Sequence, residues 1–316
     1  MSSSDPSLDR WNRALGAYLG LAAGDALGAT VEFMRPREIQ ERYGVHRDIV
    51  GGGWLKLAPG QVTDDTSMSL ALGQALLEAG PAAIRRTAQA PDGPQAQALT
   101  QRVGEAFVAW WRAKPVDCGA TCRRGIQRFL LNGSLSGPLN EGDGGNGALM
   151  RNLPVALATL AQPAAFKTLS LAQAHLTHHN TQSDLATLGV GELTQALVLG
   201  RMDHAACQAW MQDWVGQHRA FRYTPYPGRA SGYVVDTVQT VMHSLHHSTS
   251  AEAAIVTAVN QGDDADTTGA LVGMLAGALW GASALPHRWI SRLRRDTVNA
   301  ITQQARDLLS LADQLP

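Results

Sequence analysis

The stretch Ala14-Leu15-Gly16-Ala17-Tyr18-Leu19-Gly20-Leu21-Ala22-Ala23-Gly24-Asp25-Ala26-Leu27-Gly28-Ala29-Thr30-Val31 carries one charge, Asp25. Gly16, Gly20, Gly24 and Gly28 recur every fourth residue and so line one face of a helix. In lipid that spacing favours helix dimerisation; in water it lets a neighbouring backbone approach closely. Asp25 in mid-segment is costly in lipid, and Arg10 and Arg13 lie one or two turns upstream. The stretch therefore reads as a buried helix and not as a span.

Outward from it, helical patterns follow one another to the C-terminus, broken at Pro36, around Ala79-Gly80-Pro81 and through the glycine-rich residues 133–150. No run alternates at period two over several residues, so strands are not expected. The chain reads as an all-α, multi-helix protein forming one domain over residues 1–316, with residues 1–8 expected to be flexible. Its 316 residues suffice for a large core, and only 17% are charged, so many helices must be buried on more than one side. A net charge of -1 argues against nucleic-acid binding through phosphate contacts. Three cysteines, with Cys118 and Cys122 close together and Cys207 alone, fit neither a disulfide framework nor a zinc site. A reducing, cytoplasmic compartment is expected. The opening Met1-Ser2-Ser3-Ser4-Asp5-Pro6 lacks the basic and apolar regions of a signal peptide.

Two acidic clusters carry the chemistry. Pro59-Gly60 turns the chain into Thr63-Asp64-Asp65-Thr66, directly before an apolar helix. One hydroxyl or carboxylate there is an ordinary helix cap; two adjacent acids exceed that need and repel. Near the other end, Asp263-Asp264-Ala265-Asp266-Thr267 again precedes a helix of small apolar residues. If the clusters face each other, five carboxylates and several hydroxyls converge, a donor set for hard divalent cations such as Mg²⁺ or Mn²⁺. Two cations about 3.5–4 Å apart would suit that number of ligands. The plainer alternatives are two separately capped helices or a structural calcium site, though the EF-hand ligand series is missing.

The loop Asn140-Glu141-Gly142-Asp143-Gly144-Gly145-Asn146-Gly147 could cradle a phosphate on its free N–H groups, or be a mobile surface loop. It matches neither the P-loop nor the dinucleotide fingerprint. Asp143 within it is a candidate proton donor or acceptor. Glu32 follows a nearly uncharged helix; a surface acid is the ordinary reading and an inward one the alternative. His175 and His179 have zinc-like spacing without further zinc ligands, which favours a polar rim or substrate contact. Tyr233 either overhangs a site or belongs to the core.

Taken in order, Gly20-Leu21-Ala22-Ala23-Gly24-Asp25-Ala26-Leu27-Gly28 with Glu32, Thr63-Asp64-Asp65-Thr66, Gly145-Asn146-Gly147-Ala148-Leu149-Met150-Arg151, Thr177-His178 and Asp264-Ala265-Asp266-Thr267 resemble the ADP-ribosylglycohydrolase family over nearly the whole chain. Residues 51–66 and 140–151 point to its nitrogenase-linked subgroup. The resemblance implies an all-α fold with a dinuclear Mn²⁺ or Mg²⁺ centre, and removal of ADP-ribose from an arginine of a protein, with dinitrogenase reductase as the expected substrate. It makes Thr63, Asp64, Asp65, Asp264, Asp266 and Thr267 metal ligands, puts Glu32 beside the metals, and leaves Asp263 outside them. Asp143, Gly144, Gly145, Asn146, Gly147 and His178 or His179 would contact the ADP-ribose, Tyr233 would lie near the arginine, and Asp143 or Glu32 would move protons. It further implies control through a PII signalling protein and reversible membrane association. Three rival readings are a glycohydrolase for serine-linked or small-molecule ADP-ribose, a catalytically silent ADP-ribose-binding protein, and a dinuclear phosphohydrolase.

Overall fold

The computed structural model describes residues 6–160 and 162–315. Of the start expected to be flexible, residues 1–5 lie outside the described residues, and residues 6–8 open the first helix. The chain folds into α1 (Pro6–Gly28), α2 (Pro36–Tyr43), α3 (Asp64–Gln89), α4 (Pro94–Arg112), α5 (Ala120–Asn132), α6 (Leu153–Ala158), α7 (Pro163–His175), α8 (Thr181–Val198), α9 (His204–Gln217), α10 (Val234–His246), α11 (Ala251–Val259), α12 (Ala265–Trp280), α13 (His287–Ile290) and α14 (Arg295–Asp313). No strand forms among the described residues; two isolated bridges, Gly52 with Leu57 and Gly145 with Tyr233, fix loops. No described helix is long and apolar enough to cross a membrane.

The centre is an antiparallel pair, α1 and α12, whose mutual contact is the most extensive between any two described elements. Gly16 faces Gly277, Gly20 faces Gly273, Gly24 faces Gly269 and Gly28 faces Ala265. A Cβ on any of these glycines of α1 would collide with a carbonyl oxygen of α12, and α12's three would collide with α1 in return. The stripe thus brings two backbones together without intervening side chains. Every residue of α12 from Ala265 to Leu279 is buried, so the helix is sheathed on all sides. Because the pair runs antiparallel, the end of α1 meets the start of α12, and Asp25 and Asp266 come to one region of the core.

Two local features depart from the sequence reading. The stop expected at Ala79-Gly80-Pro81 is a kink: Gly80 takes φ 75°, and α3 resumes through Gln89. Pro81 suits that restart because a first-turn residue needs no N–H partner. The second concerns the start of α3. Thr63 occupies the cap position but makes no capping bond with its side chain. Asp25, reaching across from α1, accepts instead from Thr63 N (2.9 Å), Thr66 N (3.2 Å) and Thr66 Oγ1 (2.5 Å). With the free N–H groups satisfied from outside, Asp64 and Asp65 are released from capping.

The glycine stripe sets the stability expectation. Gly273→Ala should lose about 1–3 kcal/mol or more from overpacking, whereas Gly216→Ala, in α9 with nothing within 4 Å of its added methyl, should be neutral or stabilising by up to ~1 kcal/mol. Urea unfolding of both variants checks this; equal stabilities would contradict backbone-to-backbone packing.

Candidate metal centre and substrate cleft

The two acidic clusters sit at the N-termini of α3 and α12 and face one another. Thr63 Oγ1 lies 3.4 Å from Asp266 Oδ2 and 3.5 Å from Asp65 Oδ2. Thr267 Oγ1 donates to Asp65 Oδ2 at 3.2 Å. Asp64 accepts from Gly119 N at 3.2 Å, and Asp264 accepts from Asn146 Nδ2 at 2.5 Å. Asp263 is not the fifth acid: its φ is 54°, its side chain is exposed, and its backbone pairs with residues 33 and 34 (Phe33 N to Asp263 O 2.7 Å; Asp263 N to Met34 O 2.9 Å).

That pairing draws Glu32 inward. It is 6% exposed, against the surface position that is ordinary for a Glu, and offers a carboxylate oxygen within 4.8 Å of ligand atoms of Asp264 and Asp266. Trp54 Nε1 donates to Glu32 Oε2 at 2.5 Å. The indole gets there because Gly51, Gly52 and Gly53 all adopt positive φ (71°, 85° and 67°), a run that side chains would resist.

No Lys or Arg among the described residues pairs with Glu32, Asp64, Asp65, Asp264 or Asp266, and buried Asp65 Oδ1 has no hydrogen-bond partner. Burial is the largest cause of raised pKa in each. Asp264 is pushed to about 6, Asp64 to about 7 and Glu32 to about 8, while Asp65 and Asp266 go well above the usual carboxylate range, neighbouring acids adding to the effect. Asp25, beneath them, is raised to about 6 by burial despite its bonds to Thr63 and Thr66. Oxygen donors gathered without a countercharge, one of them orphaned, fit a hard divalent cation.

Above the acids opens a cavity of about 360 Å³, lined by Glu32, Asp64, Asp264, Asp266 and Thr267 together with Gly145, Asn146, Gly147 and His178. Phe33 and Trp54, their rings 5.3 Å apart, Asp117 through Cys122, Met150 and Gly232 complete it. Thr63 and Asp65 lie just behind this lining. Gly144 and Tyr233 stand next to it: the exposed Tyr233 ring packs over Gly144, and Val234 N bonds Gly144 O at 2.9 Å.

Asp143 and His179 are not brought into the cavity. Asp143 is buried in a short 3₁₀ turn, and its carboxylate takes an ion pair with Arg124 of α5 at 2.5 Å. That carboxylate is taken up by the ion pair and does not line the cavity. His179 Nδ1 donates to Gly137 O at 2.7 Å, and its ring stacks on His175, which bonds Asp184 at 3.0 Å. These three side chains could hold an ion, but their hydrogen bonds already account for them as a clasp on residues 136–140.

Three participants escaped the sequence reading. Asp25 was visible only as a charge in an apolar helix. Trp54 was signalled by three glycines before an aromatic. Asp117 lines the cavity from the loop before α5, where the pattern Pro115-Val116-Asp117-Cys118-Gly119 carries no distinctive spacing.

A family model for ADP-ribosylglycohydrolase matches residues 6–315. The chain belongs to the ADP-ribosylglycohydrolase family. It is 48% identical to the ADP-ribosyl-[dinitrogen reductase] glycohydrolase of Rhodospirillum rubrum, over 95% of this chain and 97% of that protein. It is 30% identical to the ADP-ribosylarginine hydrolase Tri1 of Serratia proteamaculans, over 95% of this chain and 80% of that one. Among solved structures, an ADP-ribosylglycohydrolase-related protein complex superposes with a TM-score of 0.79 at 30% identity, covering 96% of this chain and 99% of that one.

The raised carboxyls give a signed pH dependence. Unfolded, these groups titrate near pH 4; folded, the four with values do so between about 6 and 8. Between those limits the folded state holds more protons, so the stability present below pH 4 is lost as pH rises toward 8. Cation-free protein should therefore melt at lower temperature at pH 8 than at pH 5. Mn²⁺ or Mg²⁺ at a hundred times its Kd should restore about 2.7 kcal/mol and release protons on binding. Calorimetry in buffers of different ionisation heat checks the release; a flat pH profile with no protons released would rule out this electrostatic account.

Proposed function

We propose that this protein is an ADP-ribosyl-protein hydrolase that cleaves the N-glycosidic bond between ADP-ribose and a modified arginine, using two divalent cations, Mn²⁺ or Mg²⁺, held by Thr63, Asp64, Asp65, Asp264, Asp266 and Thr267. The observation that carries this reading is the meeting of the acidic ends of α3 and α12, with Glu32 added, under a cleft and without any basic partner among the described residues. Cations bound there would supply Lewis acidity that the carboxylates alone lack. Family membership and relatives named for ADP-ribosylarginine support the arginine linkage over a serine-linked or free substrate.

The chain's own residues divide the remaining work. Breaking the bond builds positive charge at the anomeric carbon and needs a proton on the departing guanidine. Trp54 occupies Glu32 Oε2, leaving Oε1 to hold or pass that proton. Gly145, Asn146 and Gly147 bring the backbone close to the substrate, and Asn146 also fixes Asp264. Asp117, which lines the cleft near Asp64, would meet the guanidinium. Asp143 acts from behind, holding Arg124 and the turn that starts the glycine loop. Dinitrogenase reductase is the proposed protein substrate, on the strength of the Rhodospirillum rubrum relative. Neither the geometry nor the relatives support the PII signalling protein or the membrane association.

With an arginine-ADP-ribosylated protein and Mn²⁺, wild type should release free ADP-ribose and no inorganic phosphate; phosphate release would favour a phosphohydrolase. Asp65→Ala should lose cation binding and at least about a thousandfold in kcat/KM, ~4 kcal/mol. Retention of both cations at wild-type affinity would refute the ligand assignment. Trp54→Phe should keep the cations and lower kcat about tenfold by freeing Glu32, read by steady-state kinetics.

A further inference from the structure

His178 lines the cavity although only 2% of it is exposed. Its Nδ1 lies 2.8 Å from Thr177 Oγ1, and that oxygen lies 2.7 Å from Arg151 Nη2. A guanidinium only donates, so Thr177 accepts from Arg151 and its own hydroxyl proton is left for His178. The opposite arrangement would strand the buried hydroxyl proton, which has no other acceptor among the described residues. His178 Nδ1 is therefore an acceptor, and the neutral ring carries its proton on Nε2. The ring stays neutral because burial, followed by the charges of Arg151 and Arg124, pushes its pKa down to about 3.

Arg151 is itself fully buried and has no carboxylate partner among the described residues. It is held by Gln173 (Nε to Oε1 2.8 Å; Nη2 to the backbone oxygen 2.9 Å) and lies over the Phe107 ring at 4.4 Å. The far edge of His178 borders the glycine loop: a Cβ at Gly145 or Gly147 would sit 3.1 Å from Nε2. Thr177 is the ring's one hydrogen-bond partner among the described residues, so Nε2–H is left to the cavity.

We propose that Arg151 and Thr177 are positioning residues that fix His178 as a neutral Nε2–H donor beside the glycine loop, where it donates to an acceptor oxygen of the bound ADP-ribosyl group. The role of the ligand rests on the function proposed above; the tautomer does not. Fixed in this way, His178 binds and orients and transfers no proton.

The test uses the full-length, Mg²⁺-loaded protein labelled with ¹⁵N-histidine, with His178→Gln identifying the resonances. Long-range ¹H–¹⁵N spectra at pH 7 should show His178 as the Nε2–H tautomer, and added ADP-ribose should shift Nε2. Thr177→Ser should preserve both results. Thr177→Val should mix the tautomers and raise KM for the ADP-ribosylated protein about tenfold, with kcat within about threefold, as expected for one hydrogen bond. An Nδ1–H or doubly protonated ring in the wild type, or a folded Thr177→Val with unchanged spectrum and KM, overturns the relay. An Nε2 resonance unmoved by saturating ADP-ribose overturns the donation. If Thr177→Val does not fold, the wild-type and Thr177→Ser spectra decide alone. Absence of hydrolysis by wild type, with the Nε2–H tautomer present, counts against the proposed function and leaves the relay standing.

Discussion

The rest of this structure depends on the contact of two helix backbones, α1 and α12, along facing glycines. Close approach without side chains leaves no slack for sliding or tilting. It fixes where α1 ends, and hence where Asp25 stands, relative to the first turn of α12. Asp25 then holds the start of α3 by its backbone N–H groups. A packing constraint among glycines is thereby converted into the distance between two acidic helix ends about two hundred residues apart in sequence.

The electrostatics follow from the same arrangement. Helix N-termini favour negative charge, but at α3 a carboxylate from α1 does the capping, and the acids native to α3 and α12 turn to each other. Burial then makes their charge costly, and the neighbouring acids add to that cost. Such a cluster is tolerated in a folded core only if it keeps protons or gains cations. Glu32 joins it from a loop pinned by backbone bonds to Asp263, so one acid of the second cluster gives up its side-chain role to bring in another.

Much of this was legible in the sequence. The glycine period and the lack of any two-residue alternation sufficed for the helical fold, and adjacent acids ahead of apolar helices marked both halves of the centre. What could not be read depends on long-range backbone pairing or on side-chain direction. Glu32 looks like any acid after a helix until residues 33 and 34 pair with residue 263. Asp143 sits in a glycine-rich loop that reads the same whether its carboxylate faces a substrate or Arg124. Trp54 and Asp117 lie in irregular segments, where no periodicity announces which way a side chain turns. The tautomer of His178 hangs on a hydroxyl and a guanidinium that local patterns present as ordinary core residues.

The complete burial of α12 has a further consequence. The floor of the cleft is continuous with the deepest core, so its chemistry cannot drift without loss of the fold. The walls are different: Phe33, Trp54 and residues 117–119 come from loops whose outer faces meet solvent, and residues 120 and 121 from the first turn of α5. Apart from Trp54, which steadies Glu32, the walls are therefore free to diversify by loop replacement, and target choice with them, while bond cleavage stays locked to the scaffold.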